Sequence, residues 1–163
     1  MIGVTVKKID WKNLSYYDFI GFVAVTAILL FVLYFGGLWY TTYDYRIQMR
    51  DQMVEMYQQL PNPIPPIEDD YGVHQRWLVF YIDGVKVLNK PQPENVINEY
   101  KKALEKEGWA TEREYEHVRN DKNKIYGINM RKGEFILSVS ARENRDSINI
   151  HLIKRDWIYN KGF

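Results

Sequence analysis

Between Asp18 and Asp44 the chain carries no charged residue, and the centre of that interval, Phe19 to Leu38, reads FIGFVAVTAILLFVLYFGGL. Wound into an α-helix at about 1.5 Å per residue, a run of this length spans about 30 Å, the hydrocarbon thickness of a bilayer. A cleaved signal peptide has a shorter apolar core followed by a small-x-small site, and no such site follows here. The sequence therefore predicts an uncleaved transmembrane helix over residues 19–40, a signal-anchor behind a short N-terminal tail, 1–18. Trp11, Tyr16 and Tyr17 precede the span and Trp39 and Tyr40 follow it, as interface anchors at the two headgroup levels. Lys7, Lys8 and Lys12 outnumber Arg46 and Arg50, which predicts the N-terminus inside and the rest outside. The expected location is a bacterial inner membrane with a periplasmic or otherwise extracytoplasmic domain.

A span without charge cannot offer a polar path for protons or ions, so it reads as a holding element. Gly21, Ala24 and Ala27 fall on roughly one face, and Gly36 and Gly37 sit near the outer end. These small residues are the candidate contacts with membrane or partner helices, although no GxxxG pattern occurs.

From Thr41 onward, 19 basic residues balance 19 acidic ones. Without a basic stripe to recruit phosphates, no nucleic-acid partner is expected. The chain has no cysteine, which excludes disulfides, thiolate metal sites and a lipid-modified cysteine.

Beyond the span, residues 41–60 hold good helix formers and no glycine or proline, predicting a helical stem that continues the span. Met49, Met53, Met56 and Leu60 form one apolar stripe at helical spacing. The stripe either packs on the protein's own domain or the headgroups, or meets a partner helix, with self-association as one outcome. Pro61, Pro63, Pro65 and Pro66 must end the helix, and residues 61–70 read as an extended, then acidic, linker. Pro63 and Pro66 make a PxxP pair, but a spacer explains them as well.

Residues 71–163 read as one small extracytoplasmic domain. RWLVFYIDG predicts a buried strand turning at Asp83-Gly84, with a short return strand through Val85, Val87 and Leu88. ENVINEYKKALEKEGW is an amphipathic helix, with Val96, Ile97, Tyr100, Ala103 and Leu104 on its apolar face. Pro93 suits its start and Gly108 its cap. Alternating patterns then predict strands over 110–118, 124–131, 134–142 and 147–154, with turns at Asn120-Asp121, Arg131 to Gly133 and Glu143 to Asp146. The fold class is α+β with one N-terminal transmembrane helix: a two-layer domain in which one amphipathic helix covers an antiparallel sheet of four to six strands. Trp157, Tyr159 and Phe163 near the C-terminus are expected to dock on the domain, a neighbour or a membrane surface.

Candidate chemistry is sparse. His74, His117 and His151 lack metal-ligand spacing, so neither metal nor cofactor is expected. Glu112, Glu114 and Glu116 alternate along one strand and read as an exposed face opposite lysines or arginines, not as paired catalytic acids. Ser138, Ser140 and Ser147 lack a nucleophile elbow. The helix ending in Leu-x3-Gly-Trp between a strand and an antiparallel set is similar in arrangement to small extracytoplasmic domains of bacterial membrane proteins and lipoproteins. The expectation is a single-pass, non-enzymatic accessory subunit of a larger membrane complex, for example a respiratory or photosynthetic assembly, contacting membrane and other subunits. The alternatives are an assembly-platform component of a secretion or pilus machine, and an anchored ligand-binding protein or enzyme.

Overall fold

The computed structural model describes residues 16–89, 92–118 and 123–160, and divides into two compact units, one ending at Thr42 and the other starting at Tyr43. Lys7, Lys8, Lys12, Trp11, the Asn120-Asp121 turn and Phe163 lie outside the described residues. Among the described residues the first unit contains one helix, α1 (Tyr16–Thr41), none of whose side chains is buried. It is long and apolar enough to cross a membrane. At its C-terminal end the Thr41 hydroxyl donates to the Gly37 carbonyl at 2.8 Å and the Thr42 hydroxyl to the Leu38 carbonyl at 2.7 Å. Two β-branched residues bonding back in this way weaken a helix locally, and the helix is interrupted at Thr42.

The second unit begins with helix α2 (Tyr43–Gln58), so the expected 41–60 stem is a separate helix belonging to the domain. The cause is its methionine face: Met49, Met53, Tyr57 and Leu60 are buried in the same core as the sheet. Burying such side chains is worth about 1.5–3 kcal/mol each, enough to hold the helix on the domain.

The remaining elements are strands β1 (Glu68–Arg76) and β2 (Val79–Val87), helix α3 (Pro93–Lys106), strands β3 (Ala110–Val118), β4 (Lys124–Lys132), β5 (Phe135–Arg142) and β6 (Ser147–Lys154), and a final turn of helix, α4 (Trp157–Asn160). Proline at the first position starts α3, and Gly108, at φ +84°, closes it in the left-handed region that glycine tolerates best. The six strands form one fully antiparallel sheet in the order β1-β2-β6-β5-β4-β3. The chain leaves β2, crosses the sheet through α3 to the far edge at β3, and returns strand by strand until β6 closes against β2.

Register places Phe80, Ile82, Gly84 and Lys86 of β2 on the same face as Ile148, Ile150 and Leu152 of β6, Leu137, Val139 and Ala141 of β5, and Ile128 and Met130 of β4. This face is covered by two helices where one was expected: α2 lies over β2 and β6, α3 over β5, β4 and β3. A sheet six strands wide is broader than one helix about 10 Å across can dry.

Two sequence expectations change at the N-terminal hairpin. Asp83-Gly84 is not a turn: β2 runs straight through it and the hairpin turns at Trp77-Leu78. Gly84 is required for another reason, because a Cβ there would overlap the Tyr57 phenol. The acidic trio Glu68, Asp69 and Asp70 is not linker but the opening of β1.

Candidate interaction surfaces

Helix α1 presents its expected contact residues to its surroundings. Tyr16 and Tyr17 at its start are 74% and 81% exposed, and Trp39 and Tyr40 at its end 45% and 83%. Gly21, Ala24 and Ala27 are spaced three residues apart on one side, and along the helix Phe31 and Phe35 pack ring to ring at 4.2 Å. Within the apolar stretch Thr26 hides its hydroxyl against the Phe22 carbonyl at 2.8 Å.

On α2 the stripe divides. Met49, Met53 and Leu60 are core residues, whereas Met56 is half-buried and lines an open groove of about 520 Å³ with Gln52, Glu55, Lys132, Phe135 and Lys154. Lys154 is itself 8% exposed, its ammonium 2.9 Å from the Gln52 amide oxygen and 3.6 Å from Glu134. Beside it the Tyr45 hydroxyl donates to Asp156 at 2.6 Å. Burial, reinforced by that carboxylate, pushes the Tyr45 phenol far up from its ordinary value.

A second polar group closes the other end of the covered face. Lys86, 2% exposed, reaches Asp69 at 3.0 Å and donates to Asn62. The Tyr57 hydroxyl approaches the same Asp69 at 3.4 Å, and burial followed by this carboxylate raises the Tyr57 phenol. Tyr100 is raised for the same first reason, its hydroxyl buried without a hydrogen-bond partner.

The uncovered face of the sheet is hydrogen-bonding in character. Register aligns Gly72, Asp83, His151, Ser138, Asn129 and Arg113 in one row across all six strands. His151 Nδ1 donates to Asp83 at 2.6 Å, His74 Nε2 lies 3.9 Å from the same carboxylate, and Ser138 donates to Asn129 at 2.9 Å. The Tyr81 ring fits between the imidazoles, 5.1 Å from His74 and 5.6 Å from His151. Two of the three histidines thus converge on one carboxylate, which residues 68 positions apart gave no way to foresee without the β2–β6 register. Among the described residues no group of three His, Asp or Glu side chains is arranged to hold a metal ion.

The three strand glutamates do not share a face. A bulge between Thr111 and Arg113 turns Glu112 to the uncovered side, where it meets Arg131 at 2.8 Å. Glu114 pairs across to Lys101 of α3 at 2.6 Å and Glu116 with Lys124 at 2.7 Å. Each ion pair raises its lysine, first through the hydrogen bond to the carboxylate.

Two smaller grooves, about 240 and 230 Å³, flank the N-terminal half of α3 near Glu94 and Tyr126. All three are wide-mouthed surface grooves. Comparison with protein-family models, curated proteins and solved structures gives no match.

Proposed function

We propose that this chain is a single-pass membrane-anchored accessory subunit whose domain recognises a protein partner, within a larger membrane complex, through the uncovered face of its sheet. The observation that carries this reading is that face: six strands wide, its central row supplied with hydrogen-bonding groups from Asp83 to Arg113. Asp83 and His151 are about half exposed, so their second lone pairs and ring nitrogens remain open to a partner. Such a surface suits a polar, orienting contact more than an obligate apolar one.

The stretch of α1 beyond Asp18, which carries no charge, supports the anchoring half of the proposal, with its small residues available for a neighbouring span. The assembly-platform alternative predicts self-association through the Met49 to Leu60 helix, and of its stripe Met49, Met53 and Leu60 are occupied by the core. The anchored-enzyme alternative needs a deep pocket with convergent polar groups, and the grooves are open.

The test is purification of the native protein in mild detergent, with identification of what co-migrates. A larger assembly is expected. Substituting the exposed Arg113→Glu or Asn149→Trp should release the domain's partner, whereas Glu99→Arg on the exposed side of α3 should not. A protein that runs alone as a monomer at low detergent defeats the subunit reading.

A further inference from the structure

Of the domain's three tryptophans, Trp109 is buried, while Trp77 and Trp157 are 56% and 46% exposed. Register puts both at one end of the sheet. At that end β1 closes with Arg76, β2 opens with Val79, β6 closes with Lys154 and β5 opens with Phe135. Trp77 occupies the turn just past Arg76, and Trp157 opens α4 just past β6.

The stretch of α2 from Tyr45 to Gln52 lies at this same end, tied there by Gln52 to Lys154 and by Tyr45 to Asp156, with the Tyr45 ring 5.9 Å from that of Trp157. Tyr43, which begins α2, is 55% exposed. Exposed Arg76 and Arg155 flank the tryptophans, Arg155 lying over the Tyr159 ring at 5.2 Å.

Trp77 is held outward at a backbone cost. Its φ of +55° is uncommon for a bulky side chain, while its neighbour Leu78 is 2% exposed. Gln75 fixes the turn by donating to the Trp77 carbonyl at 2.6 Å. Among the described residues the opposite end exposes Glu68, Asp70, Glu143, Arg145 and Asp146, and its exposed apolar groups, Ile67 and Val118, are aliphatic, not aromatic.

Tryptophan and tyrosine settle at the headgroup level, where an apolar ring and a polar edge are both satisfied, and arginine favours anionic phosphate. Tyr43 follows the last residue of α1 by two positions, so a bilayer holding that helix is within covalent reach of this end of the domain. We propose that Tyr43, Trp77 and Trp157, with Arg76 and Arg155, form a rim that seats on the lipid headgroups beside the span. This rests on reading α1 as a membrane span.

The absence of cysteine makes the test direct, since a single introduced cysteine carries one nitroxide. The full chain is reconstituted in phosphatidylcholine–phosphatidylglycerol vesicles with a label at Leu29→Cys, Asn160→Cys or Val118→Cys. Collision rates with oxygen and with a water-soluble nickel chelate are then compared. The expected order is position 29 in hydrocarbon, 160 at the headgroups and 118 in water. Adding Trp77→Ser and Trp157→Ser should raise chelate access at 160 severalfold, whereas Trp→Tyr at both positions should preserve its shielding. If 29 is in lipid but 160 is as open to the chelate as 118, the rim contact is overturned and the span stands. If 29 is in water, both fall. If 160 stays shielded without the tryptophans, these rings are not the anchor and the proposal fails.

Discussion

Lys86 of β2 stands directly opposite Asp69 of β1, and its ammonium lies 3.0 Å from that carboxylate although the lysine side chain is only 2% exposed. The pair is lopsided, because Asp69 is 35% exposed while Lys86 is almost entirely dry. Removing the partner of a buried charge costs about 3–5 kcal/mol, and the exposure of Asp69 reduces this to about 2 kcal/mol. Asp69→Asn should therefore destabilise the domain by about 2 kcal/mol in denaturant unfolding, while Lys86→Met, which removes the charge itself, should cost less than half as much. Equal losses in the two variants would show that the ammonium is not desolvated.

The contact between Gly84 and Tyr57 gives a second prediction. Gly84→Ala forces the phenol to move and should cost about 1–3 kcal/mol. Because the two residues share one space, Gly84→Ala combined with Tyr57→Ala should cost less than the two single losses added. Additive losses would place the Tyr57 ring elsewhere.

Membership of α2 in the core is testable from its methionines. Met53→Ala should lower stability by about 2–5 kcal/mol as a buried truncation, and Met56→Ala, at the groove edge, by less than about 1 kcal/mol. A free-standing stem would give small and equal losses, read by thermal unfolding of the domain.

Alkaline pH probes the buried phenols. Tyr57 and Tyr100 are both held protonated by burial, so their folded values lie above the unfolded value of about 10. Their contribution is complete below pH of about 10 and is lost above it, as the unfolded chain ionises first, at a limiting slope of about 1.4 kcal/mol per pH unit per tyrosine. Tyrosinate absorbance and loss of circular dichroism should rise together above that pH. Two phenols titrating freely in the folded protein would contradict their burial.

These elements differ in how openly the chain announces them. Strands β4 to β6 and helix α3 are legible because each carries one regular apolar period bounded by polar or glycine-containing turns, whereas β3, with seven of its nine residues exposed, is marked by its charged alternation and its place after the α3 cap. Strand β1, EDDYGVHQR, is not: eight of its nine residues are exposed and the other is half-buried, so an edge strand held by its ladder to β2 leaves little alternation to detect. Gly84 misleads for a related reason, since a glycine demanded by a neighbouring ring looks in sequence like one demanded by a turn. The stripe on α2 is visible, but its partner is a sheet whose strands are distant in sequence. The Asp83–His151 pair depends wholly on that same long-range register.

The strand order also sets a timetable. Strand β6 is the last of the six along the chain, yet it lies inside the sheet, between β2 and β5. Until it is made, the β1–β2 hairpin and the β3–β5 meander have no ladder joining them, and each leaves an unpaired edge. A ribosome making this chain would release the α1 helix long before the domain could close. The domain must remain unfinished through most of its own synthesis, with long-range pairing as its slow, final step.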